Sequence, residues 1–166
     1  MPAMTDPHDA LVSFQQALAE GALQLRPGEL DLTLLLHVDH PNNVLRLTYV
    51  HTEGTTVTAL AMFAQVEPYE GLPCFQVGYA VPDACRGKGR AKAVLKAAIA
   101  EMEHGFARTP LKRFYVEAVV GVDNAPSRKI AEAVFEQTGT EITDEVSDQP
   151  AIHFVKEFGV STKHST

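Results

Sequence analysis

Apolar residues recur at helical spacing near the start of the chain. There Leu11, Phe14 and Leu18, with Val12 off the main stripe, predict a short amphipathic helix over 9–21 that ends at Gly21. Arg26-Pro27-Gly28 reads as a turn, and beyond it the period falls to two. Runs rich in β-branched and aromatic residues over 31–37, 44–51, 56–66 and 74–81 predict four strands. Turn residues separate them: Pro41-Asn42-Asn43, Glu53-Gly54 and Pro68-Tyr69-Glu70-Gly71. Connections this short favour an antiparallel meander over parallel crossovers.

From Arg86 the period changes to about 3.6. Ala91, Val94, Leu95, Ala98, Ile99 and Met102 form one apolar stripe, with Lys92, Lys96, Glu101 and Glu103 off it, and Gly105 is the expected stop. A nearly continuous apolar run predicts a strand over 114–122, buried on both faces. Pro126 suits a first helical turn, and Ile130, Ala131, Val134 and Phe135 continue at helical spacing towards Gly139. Ile142 marks a short strand, 151–158 a clearer one, and 161–166 a loose tail. No repeat or linker divides the chain, so residues 1–160 are expected to form one domain. The order of elements belongs to an α/β (α+β) sandwich, helices packed over a mixed sheet.

Composition narrows the picture. With 166 residues, 45% of them hydrophobic and 21% charged, the chain is long and apolar enough for one self-sufficient core, which excludes disordered and coiled-coil classes. Lys and Arg number 14 against 21 Asp and Glu, and the net charge of −7 argues against nucleic acid or an anionic membrane as a broad partner. No run of 18 apolar residues exists, and residues 1–10 carry Asp6 and Asp9 rather than a basic region followed by an apolar one. The two cysteines, Cys74 and Cys85, form no C-x-x-C. A cytoplasmic protein is the expectation, and any anionic ligand has to be gripped locally.

The local grip is legible between residues 75 and 91. A strand leads through a short loop into the glycine-rich start of a helix, Arg86-Gly87-Lys88-Gly89-Arg90-Ala91. Such a start exposes unpaired backbone N–H groups at the positive end of the helix, and glycines let an anion come close. Arg86, Lys88, Arg90 and Lys92 lie within seven residues that contain no acid. A solvated helix start with ordinary surface cations has the same pattern. The phosphate loop G-x-x-x-x-G-K-[ST] is excluded by spacing and by the missing hydroxyl, and the dinucleotide fingerprint by Lys92, where it needs Gly or Ala.

In this segment the chain resembles the GNAT family of N-acetyltransferases, whose signature of Arg or Gln, two variable residues, Gly, one variable residue and Gly or Ala is matched by Arg86, Gly89 and Ala91. Val77-Gly78-Tyr79-Ala80-Val81-Pro82 looks like the strand-to-loop segment of its ribosomal-protein N-acetyltransferase-like branch. Asn124 and Ser127 match the family's N-x-x-S spacing after the next strand. The resemblance implies a GNAT fold, a mostly antiparallel sheet with one splayed parallel pair, and acetyl-coenzyme A as co-substrate, with no metal. It implies that backbone N–H groups of Arg86, Gly87, Lys88, Gly89, Arg90 and Ala91 hold the pyrophosphate, that Tyr79, Ala80 and Val81 lie along the pantetheine arm, and that Asn124 and Ser127 contact the cofactor. Helix capping is the other role open to Asn124 and Ser127.

The reaction implied is direct attack of a primary amine, on a small molecule or a protein N-terminus, on the thioester. A free amine is mostly protonated at neutral pH, so a base is needed. Glu117 is the candidate, as the only acid in an otherwise apolar strand; pairing with Lys112 or Arg113 would give it a structural role instead. Many relatives carry a helix Tyr as acid for the leaving thiolate. Here Ile130-Ala131-Glu132-Ala133-Val134-Phe135 has none, so Ser127 or water substitutes, or the chain is a non-catalytic acyl-coenzyme A sensor. Relatives often form homodimers, though no interface is readable. His37, Asp39, His40 and His51 are close enough in sequence to suggest a metal site but read as surface residues, and Cys85 lies beside the cationic loop without a nucleophile motif.

Overall fold

Asp6 starts the first helix by accepting hydrogen bonds from the backbone N–H groups of His8 and Asp9, and Pro7 takes the first helical position, where no N–H is needed. In the computed structural model, which describes residues 6–159, the helices are α1 (Pro7–Ala19), α2 (Arg90–Phe106) and α3 (Ala125–Phe135). The strands are β1 (Arg26–Pro27), β2 (Leu34–Asp39), β3 (Arg46–Glu53), β4 (Thr56–Tyr69), β5 (Leu72–Ala80), β6 (Arg113–Gly121), β7 (Thr140–Thr143) and β8 (Pro150–Gly159). The tail expected over 161–166 and the first five residues of the stretch 1–10 lie outside the described residues.

All eight strands form one sheet in the order β1-β2-β3-β4-β5-β6-β8-β7. Every pair is antiparallel except β5 and β6, which α2 connects and which run parallel. The mixed α+β class and the meander follow the sequence pattern. Three expectations are corrected. Arg26-Pro27 is a two-residue strand paired with Leu35 and Leu36, not only a turn. Gly105 does not stop α2, because the next residue, Phe106, stacks on Phe75 and meets Phe114 edge-on, and that aromatic burial carries the helix one residue further. The strand expected to be buried on both faces instead alternates: Phe114, Val116, Ala118 and Val120 are buried, while Tyr115, Glu117 and Val119 are only half-buried.

That alternation defines two layers. The buried side of β6 joins Phe75, Val77 and Phe154 against Leu95, Ala98, Met102 and Phe135 of α2 and α3. On the opposite face, Leu11 and Phe14 of α1 cover Val50, Leu60 and Met62. Since α1 packs on β4 and β5, the α1-side surface of β6 keeps its half-buried character.

Buried Glu101 of α2 ties the chain's first loop to this frame. Its carboxylate accepts the backbone N–H groups of Glu29, Leu30 and Asp31 at 2.9, 2.7 and 2.8 Å. Gly28 is required beside it, because a Cβ there would lie 2.5 Å from Glu101 Oε2. Glu101→Ala leaves three N–H groups without their acceptor and is expected to lower the unfolding free energy by about 3 kcal/mol in urea denaturation; a loss of under about 0.5 kcal/mol would contradict the clamp.

Candidate functional site

The start of α2 has the geometry of an anion cradle. After the turn Asp83–Cys85, Gly87 and Gly89 take φ of 77° and 71°, values that L side chains rarely adopt. Gly89 is the N-cap and has no side chain to offer the helix. The first helical bond runs from Ala93 N–H to Gly89 C=O at 3.0 Å, so the amides of Arg90, Ala91 and Lys92 precede it without helical partners. A Cβ built on Gly87 or Gly89 would meet nothing within 4 Å. The space over the glycines is open.

The cradle stands at the mouth of an opening in the sheet. β5 and β6 pair only at Cys74–Tyr115, Phe75–Val116 and Gln76–Glu117. Beyond Gln76 and Glu117 the strands part, while β5 stays paired to β4 as far as Ala80 and β6 to β8 as far as Gly121. The alternate N–H and C=O groups of Val77 to Ala80 that point away from β4 therefore have no strand partner on the β6 side. A cleft of about 790 Å³ fills this opening and runs to the start of α2. Tyr79, Ala80, Val81, Arg86, Gly87, Gly89, Arg90, Ala91, Asn124 and Ser127 all line it. Lys88 does not; Lys92, Cys85 and the start of α1 at Asp6, Pro7 and His8 do.

Folding changes the charge picture that the sequence presents. Arg86 pairs with Asp83 at 3.1 Å and Arg90 with Glu53 from β3 at 3.1 Å, so two of the four clustered cations carry carboxylates. Arg90 Nε is buried with no partner among the described residues. Backbone amides, rather than free side-chain charge, dominate the cradle.

On the α3 side of the cleft the Tyr79 hydroxyl donates to the Ser127 carbonyl at 2.8 Å, and the Ser127 hydroxyl donates to the Tyr79 oxygen at 3.1 Å. Burial raises the ionisation of the Tyr79 phenol above its ordinary range, and its bond with Ser127 offsets part of that rise. Asn124 caps α3, its side-chain oxygen accepting Ser127 N–H at 3.2 Å, and it also lines the cleft. Capping and cleft contact coexist in Asn124, whereas the Ser127 hydroxyl is given to Tyr79 and caps nothing. Sequence reasoning placed Tyr79 in the site but had no signal for its bond to Ser127, which joins residues 48 positions apart.

Glu117 occupies the last paired rung of β6, where the opening begins. Its carboxylate binds neither Lys112 nor Arg113. Arg113 instead pairs with Glu157 at 2.6 Å, and Glu117 Oε1 lies 2.8 Å from His153 Nε2 on β8. His153 was not legible as the partner of Glu117, since the β6–β8 register that sets it there is fixed by tertiary pairing. The other histidines do not converge: Asp39 is bound bidentately by Arg46 at 2.9 and 2.6 Å, and His51 sits 3.3 Å from Asp31. Among the described residues no cluster of three His, Cys, Asp or Glu side chains could hold a metal, and no helix is long and apolar enough to cross a membrane.

No family model and no curated protein matches the sequence. Solved structures do match in fold. An N-acetyltransferase from Staphylococcus aureus superposes with a TM-score of 0.51 at 18% identity, over 72% of this chain and 70% of its own. The ribosomal-protein-S18-alanine N-acetyltransferase from Escherichia coli gives 0.49 at 17% identity, over 71% of this chain and 72% of that one. The ribosomal-protein-S5-alanine acetyltransferase from Vibrio fischeri gives 0.49 at 16% identity, over 69% and 62%. The chain spans between 61% and 65% of the length of several such structures. The likeness to the Staphylococcus aureus structure shows the fold alone, and it is the GNAT fold that the resemblance implied.

The two cysteines differ in a way that labels the cleft. Both are free; Cys74 is buried, and burial together with the Glu117 charge pushes its thiol up to about 12. Because a raised value suppresses the thiolate at pH 8, Cys74 is expected to stay silent towards an aromatic disulfide reagent while the partly exposed Cys85 reacts. One thiol should titrate in the native chain and none in Cys85→Ser until the protein unfolds. Two equally fast native thiols would contradict this placement.

Proposed function

We propose that the chain is an acetyl-coenzyme A-dependent N-acetyltransferase, acting on a primary amine of a small molecule or a protein N-terminus. The observation that carries this reading is the release of β5 from β6 after Gln76 and Glu117, directly below the open glycine cradle of α2. Free strand edge, unpaired helix amides and room over two glycines fit an extended pantetheine arm ending in a pyrophosphate. When bound, acetyl-coenzyme A supplies an acetyl group activated as a thioester.

The chain's own groups divide the remaining work. The amides of Gly87 and of residues 89–91 hold the pyrophosphate and the edge of Tyr79, Ala80 and Val81 orients the arm. Asn124 fixes the start of α3 against it. Glu117 stands where the opening begins and supplies the negative charge that favours removal of the amine's proton. The Tyr79–Ser127 hydroxyl pair lies on the cleft wall and is the chain's proton source for the departing thiolate, in place of a helix tyrosine. Cysteines free of any disulfide agree with work in the cytoplasm.

Calorimetric titration with acetyl-coenzyme A, followed by thiol release against a panel of amines and N-terminal peptides, tests the reading. Micromolar binding with release supports it; binding without release across the panel favours an acyl-coenzyme A sensor, and no binding sinks it. Gly89→Val fills the space over the cradle and is expected to raise Kd at least tenfold, about 1.4 kcal/mol. Unchanged affinity in that variant would remove the loop from the site. Tyr79→Phe deletes both hydroxyl contacts and is expected to cut turnover about tenfold with acetyl-coenzyme A affinity nearly unchanged; full turnover would take the pair out of the mechanism.

A further inference from the structure

Resting on the acetyltransferase reading above, we propose that the amine's proton is received by Nδ1 of His153, with Glu117 acting through it as a positioning residue. An ionised carboxylate can only accept, so in the neutral imidazole the 2.8 Å contact between Glu117 Oε1 and His153 Nε2 puts the hydrogen on Nε2 and leaves the lone pair on Nδ1. Of the two side chains the imidazole is the more exposed, 24% against 15%. It is also nearer the opening along the strand direction. Neither side chain lines the cleft itself: His153 lies on β8 directly opposite Val119, a lining residue of β6, whereas Glu117 belongs to the closed rung beneath.

The groups around the imidazole leave Glu117 as its charged partner. From β7 the residue opposite His153 is Thr140, which does not titrate. On its own strand and face come Val155 and then Glu157, which Arg113 holds at 2.6 Å. Among the described residues Glu117 is the one charged side chain within ion-pair distance of His153.

In the transfer step a bond forms between the amine nitrogen and the acetyl carbon, and the carbon–sulfur bond breaks with its electron pair leaving on sulfur. The nitrogen's proton passes to Nδ1, giving an imidazolium held against the Glu117 carboxylate, and from there to solvent. Protonating Nδ1 beforehand blocks the step, so the rate falls as pH falls.

Two measurements test this. Nitrogen-15 NMR of the imidazoles, assigned with His153→Gln, reads the tautomer in the intact chain without any acceptor. At pH 8 the expected state of His153 is Nε2 protonated and Nδ1 bare, and a protonated Nδ1 would overturn the proposal. In kinetics, His153→Gln is expected to lower kcat at least tenfold and to remove the imidazole's share of the acid-side fall in rate, leaving the share that protonation of the amine imposes, with acetyl-coenzyme A affinity within twofold of wild type, which also shows that the variant folds. Glu117→Gln should lower kcat less than His153→Gln while keeping an acid-side fall. A His153→Gln variant with the wild-type rate and pH profile would sink the role of His153 alone. Failure of the wild-type chain to bind acetyl-coenzyme A would sink the transferase reading, and this role with it.

Discussion

One interrupted ladder governs the molecule: β5 and β6 hydrogen-bond for three residue pairs and then separate. An opening in a sheet leaves backbone donors and acceptors without partners, which is costly unless water or a ligand satisfies them. The surrounding structure holds it open. β4 and β8 keep β5 and β6 paired on their outer edges, and the Phe75, Phe106 and Phe114 rings pack below the fork. Pro82 has no N–H to continue the ladder and leads the chain into the glycine cradle. The closed half of the parallel pair is thus a rigid base, and the open half is a slot whose polar edge and anion cradle share one mouth.

The two walls of the slot carry different chemistry. On the α2–α3 side the Tyr79 hydroxyl donates to the Ser127 carbonyl, the Ser127 hydroxyl donates to Tyr79, and Asn124 caps the helix, which makes a neutral wall. On the α1 side of the sheet, Glu117 and His153 make an ionisable pair at the foot of the opening. The hydroxyl pair and the ionisable pair thus lie on opposite faces of the sheet. Strand alternation produces this separation, since Tyr79 shares its face with Val77 and Phe75, and Glu117 shares the other with Tyr115 and Val119.

Much of this was legible in the sequence because it is local. The helix stripe of α2, the turn residues between β2 and β5, and the order Arg86, Gly89, Ala91 at the start of that helix each fix a local conformation, and these segments supply much of the cleft lining. What escaped was long-range. The apolar continuity of β6 concealed its alternation, because Tyr115 and Val119 are apolar enough for either face. Phe106 overrode the glycine before it by packing against residues 31 and 8 positions away. Glu53 reached Arg90 and His153 reached Glu117 only through strand registers that no short motif encodes.

Amide hydrogen exchange with and without acetyl-coenzyme A tests the slot most directly, because it reads the free strand edge and the helix amides themselves. The account predicts slowed exchange concentrated at residues 77–81 and 86–92 and unchanged exchange in the distant β1–β2 edge. Binding with no protection at either segment, or protection spread evenly over the sheet, would contradict it.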